Sequence, residues 1–363
     1  MTKTSPLIPL LALLTLSAAA SDFTGLKQEM DSVADKVFLT LKEEGQDRIA
    51  IRDFTSPSFM QANFSNALKD ELTCSLKEKK VNVDAQATYE ISGEYRIAQD
   101  ETDPAKKSDL HGLLIQFELK DQKNNKSLGK FAHQVFDNSL MSSVAGINGS
   151  VKPNDSLEKR NTDLYNKSEH PEYSVSNSEV IVGQFGVEVG IFDGHNFTPR
   201  AIFEKNHSPY VELNHNDQYA IKLINNSDYD VAVLLTVDGI NTFHFSEIRN
   251  DKGEPRYSHW IVGAHSNSLI KGWHKDLKQM YSFFITDVPN SAAGQLKSVG
   301  SIGVINAQFH AVIVGGAHNA TDEGKTRGAD LATGKGPPID AASKEVAVKF
   351  GAMRTSITVR YGK

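Results

Sequence analysis

The chain has 363 residues, 39% hydrophobic and 23% charged, with a formal net charge of -6 and a pI near 6.1. That length accommodates two or three domains of roughly 100–200 residues each, in an ordinary globular composition. The acidic balance argues against non-specific nucleic-acid binding and against adhesion to an anionic membrane, since both need clustered Lys and Arg.

Lys3 supplies a short basic start, Leu7 to Leu16 is an apolar run, and Ala18-Ala19-Ala20 before Ser21 fits a small-residue cleavage site. Together they predict a secretory signal peptide over residues 1–20 and a periplasmic or extracellular location. The run falls short of the about 20 apolar residues that span a bilayer. No Cys follows it to carry a lipid anchor, and no later stretch reads as a transmembrane segment.

Phe23, Leu26, Met30, Val33, Val37 and Leu41 recur at helical spacing, with Gly45 as a C-cap. Arg48 to Phe54 reads as a strand. Thr55-Ser56-Pro57-Ser58 breaks it, and Phe64, Leu68, Leu72 and Leu76 form the stripe of a second helix. Lys77 to Lys80 in its last turn suits the helix dipole and reads as a solvated helix end. Cys74, the single cysteine, precludes an intrachain disulfide; on the apolar side of this helix it is expected to be a small buried residue. Thr88 to Ala98, Gly112 to Lys120 and Leu128 to Phe136 are strand candidates, with a charged loop over Asp100 to Asp109. The order is α-β-α-β-β-β.

Ile49-Ala50-Ile51-Arg52-Asp53-Phe54, the helix after it, and Tyr89-Glu90-Ile91-Ser92-Gly93-Glu94-Tyr95 carry a resemblance. Over residues 21–137 the chain resembles the bacterial envelope α/β module of curli-secretion lipoproteins, penicillin-binding-protein activator lipoproteins and the TolB N-terminal domain. The resemblance implies a module that supports protein–protein assembly rather than catalysis. The chain lacks the lipidated Cys of those lipoproteins and the amphipathic hairpins of a curli-type pore.

Residues 138–178 are rich in Asn, Ser, Lys and Glu, carry Gly146, Gly149, Pro153 and Pro171, and read as a polar linker, partly disordered. From Glu179 onward the pattern is β throughout. Val180 to Phe185, Val187 to Phe192, Ala201 to Glu204 and Tyr210 to Leu213 precede a central pair. In that pair Tyr219, Ile221 and Leu223 alternate, Asn225 to Asp228 turns, and Val231 to Val237 is an aliphatic run closed by Asp238-Gly239. Trp260 to Gly263, Ser268 to Trp273, Tyr281 to Ile285 and Ile302 to Val314 follow. Residues 315–338 read as a Gly-rich loop. Two short strands, VAVKF and SITVRY, come last, separated by Gly351-Ala352-Met353. Residues 179–363 are therefore expected to form a β-sandwich, giving an α+β protein: an N-terminal α/β module followed by a C-terminal all-β sandwich. Tyr210-Val211-Glu212, Tyr219 to Leu223, Val237 to Asn241, Ile270 to Trp273 and Ile302 to Ile305 resemble, as a set, an uncharacterised β-domain of secreted bacterial proteins.

His259, His265 and His274 form the densest cluster of possible metal ligands, but their spacing fits no zinc motif and they read as surface histidines. Trp260 and Trp273, with Tyr257, are the candidate ligand-binding residues: exposed indoles stack on the apolar face of a sugar, and the competing role is core packing. Asp238 reads as a turn former, with a catalytic carboxylate paired to Glu247 or Glu254 as the competing role. Gly300 to Gly303, Gly315-Gly316 and Gly183 to Gly186 lack phosphate-loop spacing, and no GxSxG elbow occurs. No catalytic residue, metal or cofactor is expected. The expected function is non-enzymatic binding or assembly at the bacterial envelope, the partner being an envelope protein. A cell-surface glycan bound by aromatics of the β-domain is the alternative, and an envelope hydrolase a weaker one.

Overall fold

The computed structural model describes residues 10–13, 24–56, 62–100, 110–152, 154–205, 207–251, 253–296, 302–313, 331–347 and 349–362. The first element is a short strand, β1 (Leu10–Leu13), within the segment read as a leader; the rest of that segment, most of the 100–109 loop and residues 315–330 lie outside the described residues.

Helices α1 (Thr24–Glu43) and α2 (Ala62–Glu78) bury the predicted stripes, Met30, Val33, Val37 and Leu41 on one and Leu68, Leu72 and Leu76 on the other. Spacings of three and four residues place these side chains on one helix face. Both helices contribute to one core with a five-stranded sheet made of β2 (Arg48–Thr55), β3 (Asn82–Val83), β4 (Tyr89–Gln99), β5 (His111–Asp121) and β6 (Lys126–Val135). The sheet order is β3-β2-β4-β5-β6; β2 runs parallel to β3 and β4, and β4, β5 and β6 are antiparallel. Where β2 bends against β4, Phe54 lies beside Gly93 and meets Phe117 edge-on at 5.3 Å. A Cβ on Gly93 would sit 2.0 Å from the Gln116 carbonyl oxygen and 2.9 Å from the Phe54 ring, so only glycine allows this approach. Cys74 is exposed rather than buried. It lies two residues from both Leu72 and Leu76, and residues two apart point to different sides of a helix.

The segment read as a polar linker is built into the fold. It holds α3 (Asn138–Ala145), β7 (Gly149–Ser150), α4 (Leu157–Glu169) and β8 (Ser174–Ser176). Asp137 caps α3 by accepting from Leu140 N at 2.7 Å, and Gly146 ends it in the left-handed region. Ser156 caps α4. Apolar residues of the segment, Leu140, Met141, Val144, Ala145, Ile147, Val151 and Leu164, join the core of the α/β module. Asparagines supply the remaining attachment: buried Asn161 donates to the His111 carbonyl at 2.5 Å and accepts from Asn138. A composition low in apolar residues therefore does not stop this segment from ordering, because its polar groups are paired inside.

The second half continues through β9 (Glu179–Val182), β10 (Phe185–Phe192), β11 (Phe197–Pro199), β12 (Ile202–Lys205), β13 (Ser208–Val211), β14 (Gln218–Asn225), β15 (Val231–Val237) and β16 (Ile240–Asn241). Then come β17 (Tyr257–Val262), β18 (Ser266–Ile270), β19 (Gly272–His274), β20 (Gln279–Asp287), α5 (Ala292–Gln295), β21 (Val304–Ile313), β22 (Leu331–Asp340), β23 (Lys344–Ala347) and β24 (Lys349–Tyr361). Among the described residues, one sheet runs β12-β13-β24-β21-β15-β17-β1-β23, with β16 on β15 and β7 on β24. The other runs β19-β20-β14-β10-β9-β8, with β11, β18 and β22 attached. The two sheets share one core, in which Phe185 stacks on Phe309 at 4.8 Å. The chain is thus an α+β protein with an α/β module and a β-sandwich.

β14 and β15, neighbours in sequence, fall in opposite sheets. Buried Asn225 holds the crossing: its amide donates to the carbonyls of Tyr229, Val262 and Gly263 at 2.8, 3.1 and 3.0 Å. The Asp238-Gly239 turn forms as expected, with φ of 53° and 76°. Residues 331–338, read as part of the Gly-rich loop, belong instead to strand β22, which pairs with β20. Gly336 packs closely on β20: a Cβ there would lie 2.2 Å from Ser282 Oγ and 3.0 Å from the Ser282 carbonyl oxygen. Pro337 and Pro338 are tolerated because β22 pairs on one side only. Gly351 to Met353 lie within β24, next to register shifts, and do not separate two strands.

Gly93→Ala is expected to destabilise the chain by about 1–3 kcal/mol, the range for overpacking against an immovable backbone. Urea titration followed by circular dichroism would measure it; an unchanged midpoint would contradict the close approach.

Candidate functional site

The candidate ligand-binding residues Tyr257, Trp260 and Trp273 are 1%, 0% and 0% exposed, so none of them offers a stacking face to a glycan. Their polar ends are used internally. Trp260 Nε1 donates to Thr242 Oγ1 at 2.9 Å, Trp273 Nε1 to the Gly334 carbonyl at 3.2 Å, and Tyr257 Oη to Glu345 at 2.9 Å. Phe243 packs on Trp260 at 4.5 Å, and Phe245 and Phe283 each meet Trp273 edge-on at 5.3 Å. An indole on a strand facing the opposite sheet is core; the sequence pattern could not say which sheet faced which.

The three histidines read as a surface cluster separate. His265 is exposed and contacts Asp228 Oδ1 at 2.8 Å. His259 and His274 are buried instead. His274 Nδ1 lies 3.0 Å from Ser246 Oγ within a wall of Phe243, Tyr257 and Trp260. His259 meets His310 edge-on at 5.1 Å. Burial lowers the imidazole pKa values of His259, His274 and His310: His274 and His310 to about 4, and His259 well below its ordinary value, with His310 adding to the effect. His310 carried no sequence signal; only strand pairing places it beside His259.

Asp238 is both a turn residue and a buried carboxylate. Oδ1 accepts from Gly303 N at 2.8 Å, Val304 N at 3.3 Å and Tyr361 Oη at 2.6 Å; Oδ2 accepts from Thr333 N and Tyr361 Oη, both at 2.7 Å. Thr333 Oγ1 links Tyr361 Oη to Tyr219 Oη. Burial pushes the Asp238 pKa up to about 6, with the Tyr361 hydroxyl and the three backbone amides pulling the other way. The carboxylate is 1% exposed, and its partners given above all belong to the sandwich. Glu247 and Glu254, its proposed catalytic partners, are occupied elsewhere: Glu247 accepts from Tyr281 Oη of β20 at 2.8 Å and Glu254 from Asn250 of its own loop at 2.9 Å.

Two outward features stand out among the described residues. One is the face of the α/β sheet turned away from α1 and α2. Register places Glu90 beside Lys120, Ser92 beside Glu118, and Lys130 beside Glu118. Ion pairs lace it, Arg52 to Glu90 at 2.7 Å, Lys120 to Glu118 at 2.9 Å and Lys130 to Glu118 at 3.8 Å. The other is the end of the larger sheet, where β1 lies between β17 and β23. There Glu345 of β23 accepts from Arg256 Nη2 at 3.0 Å and from Tyr257 Oη, which joins β23 to β17 across β1. Among the described residues, no helix is long and apolar enough to cross a membrane, and no group of three His, Cys, Asp or Glu is placed to hold a metal ion.

No family profile matches the chain, and no curated protein matches it. Among solved structures, TolB from Acinetobacter baumannii aligns at 10% identity over 79% of this chain and 82% of that one, with a TM-score of 0.12. A score that low carries no argument for a shared fold or function.

Asp238→Asn turns an amide donor toward groups that are themselves donors and is expected to cost about 1–3 kcal/mol; the urea midpoint reads this, and an unchanged value would remove the carboxylate from the stability of the sandwich. The histidines set a pH dependence. Their folded pKa values lie below 6.5, so their contribution is complete above pH 6.5 and is lost as pH falls toward about 4. Each loses up to about 1.4 kcal/mol per pH unit. Asp238 works oppositely, because its raised pKa favours the folded state as pH falls through 6. Three groups outweigh one, so unfolding free energy is expected to drop between pH 7 and pH 5, and His310→Phe to flatten that drop.

Proposed function

We propose that this is a non-enzymatic secreted or periplasmic protein that binds and assembles with protein partners at the bacterial cell envelope, led there by a signal peptide over residues 1–20. One observation supports the reading. The side chains offered for chemistry or stacking, Tyr257, Trp260, Trp273, Asp238, His259 and His274, are enclosed within the sandwich. What the molecule turns outward is sheet: the ion-paired face of the α/β module, and strand edges. Mixed charge on a rigid sheet selects a partner by complementary charge and register, with modest affinity from each exposed pair. The likeness of residues 21–137 to the envelope α/β module agrees with this role.

The test is capture from envelope extract on the immobilised chain, with peptidoglycan and isolated glycans run in parallel. A defined protein should be retained by the wild type and lost when Arg52, Lys120 and Lys130 are changed together to Glu. Retention of glycan alone, or turnover of a glycan that Glu247→Gln abolishes, would replace this reading with the binding or hydrolase alternative.

A further inference from the structure

The most unusual placement in the molecule is β1. Leu10, Leu11, Ala12 and Leu13 pair antiparallel with Ile261, Trp260, His259 and Tyr257 of β17, and parallel with Lys344 to Ala347 of β23. β1 therefore fills a position inside the larger sheet, and it comes from the segment whose sequence reads as a removable leader. β17 is poorly suited to lie uncovered. Its sequence, Tyr257-Ser258-His259-Trp260-Ile261-Val262, carries no Lys, Pro or acidic residue of the kind that guards an edge, and with β1 in place all six residues are buried. On its other side it pairs with β15 over Val231 to Val233.

The walls of this position are held by contacts that do not involve β1. Ahead of β23, Ala341 N and Ser343 N donate to the carbonyls of Lys278 and Leu277 at 2.8 and 2.9 Å. Behind it, β24 runs into the middle of the sheet. Across it, Glu345 joins Arg256 and Tyr257. Neighbouring strands lie about 4.8 Å apart, so β17 and β23 stand roughly two such spacings apart, the width of one inserted strand.

We propose that, once residues 1–20 are removed, the slot between β17 and β23 is a strand-acceptor site. It takes an extended, uncharged aliphatic segment of another protein, inserted antiparallel to Tyr257–Val262 and parallel to Lys344–Ala347. Backbone pairing to two strands at once supplies affinity, and the apolar setting of β17 selects an aliphatic strand over a charged one. The site rests on the leader reading and adds a second contact, on the sandwich, to the face proposed on the α/β module.

The experiment uses the folded full chain carrying a protease site inserted between Ala20 and Ser21. The probe is a fluorescent peptide of residues 7–16 with a dilysine tag. After cutting, dilution and washing should remove the 1–20 fragment, and the emptied chain should then bind the probe saturably, as the uncut chain does not. A probe N-methylated at Leu11 and Leu13, which loses backbone donors but keeps its apolar character, should bind at least tenfold more weakly. Retention of the fragment, equal binding by cut and uncut chains, or equal binding of the methylated probe would overturn the proposal. Dimerisation of the cut chain that blocks the probe would assign the slot to a second copy and overturn it as stated. Mass analysis of the exported protein separates the two readings. A start at Ser21 supports the vacancy; an intact N-terminus overturns it, while the exchange assay still reports on the slot itself.

Discussion

One buried carboxylate ties the sandwich together. Asp238 sits in a left-handed turn, which fixes β16 against β15, and its two oxygens gather donors from the start of β21, from β22 and from the end of β24. A buried negative charge is tolerated only when donors surround it, so those segments must stay in place together. The shared hydroxyls of Tyr361, Thr333 and Tyr219 carry the constraint into the facing sheet through β14. The aliphatic core supplies most of the burial, but apolar contact has little directional preference. The carboxylate specifies which strand ends meet.

A second set of polar contacts does the same work between the two halves. Gln308 of β21 donates to the Ser139 carbonyl and to Ser143 Oγ of α3, each at 3.2 Å. Asn148 Oδ1 accepts from Thr358 N at 2.7 Å, and Val151 N donates to the Arg354 carbonyl at 2.9 Å. α3 thus belongs to the core of the α/β module while bonding to the sandwich, and β7 adds itself to β24. The halves have separate hydrophobic cores joined by a hydrogen-bonded seam.

The sequence was most readable where one local pattern decides the outcome. The helix stripes at Met30 to Leu41 and Leu68 to Leu76, the strand Val231–Val237 and the turn at Asp238-Gly239 all follow from spacing or from backbone preference. It was least readable where a distant partner decides. Pro337 and Pro338 look like loop residues until an edge position on β20 makes them acceptable. Residues 138–178 look disordered until asparagine pairs and caps are counted. Trp260, Trp273 and Tyr257 look like a binding surface until the second sheet covers them. His310 and Tyr361 could not be singled out at all, because their significance comes from strands that meet across long stretches of chain.

The position of Tyr361 bears on the timing of folding. It is separated from Asp238 by 123 residues, and Thr358 from Asn148 by 210. Closing loops of that length is slow compared with forming the local helices and hairpins. While β24 is still being synthesised, Asp238 lacks its hydroxyl donor and β21 lacks one neighbour. The α/β module has its own core and can settle early; the sandwich stays open until the last strand arrives. A chain of this kind is held back from its final form until synthesis is nearly done: the arrival of its last strand, and not the folding of its first module, sets the moment at which the sandwich closes.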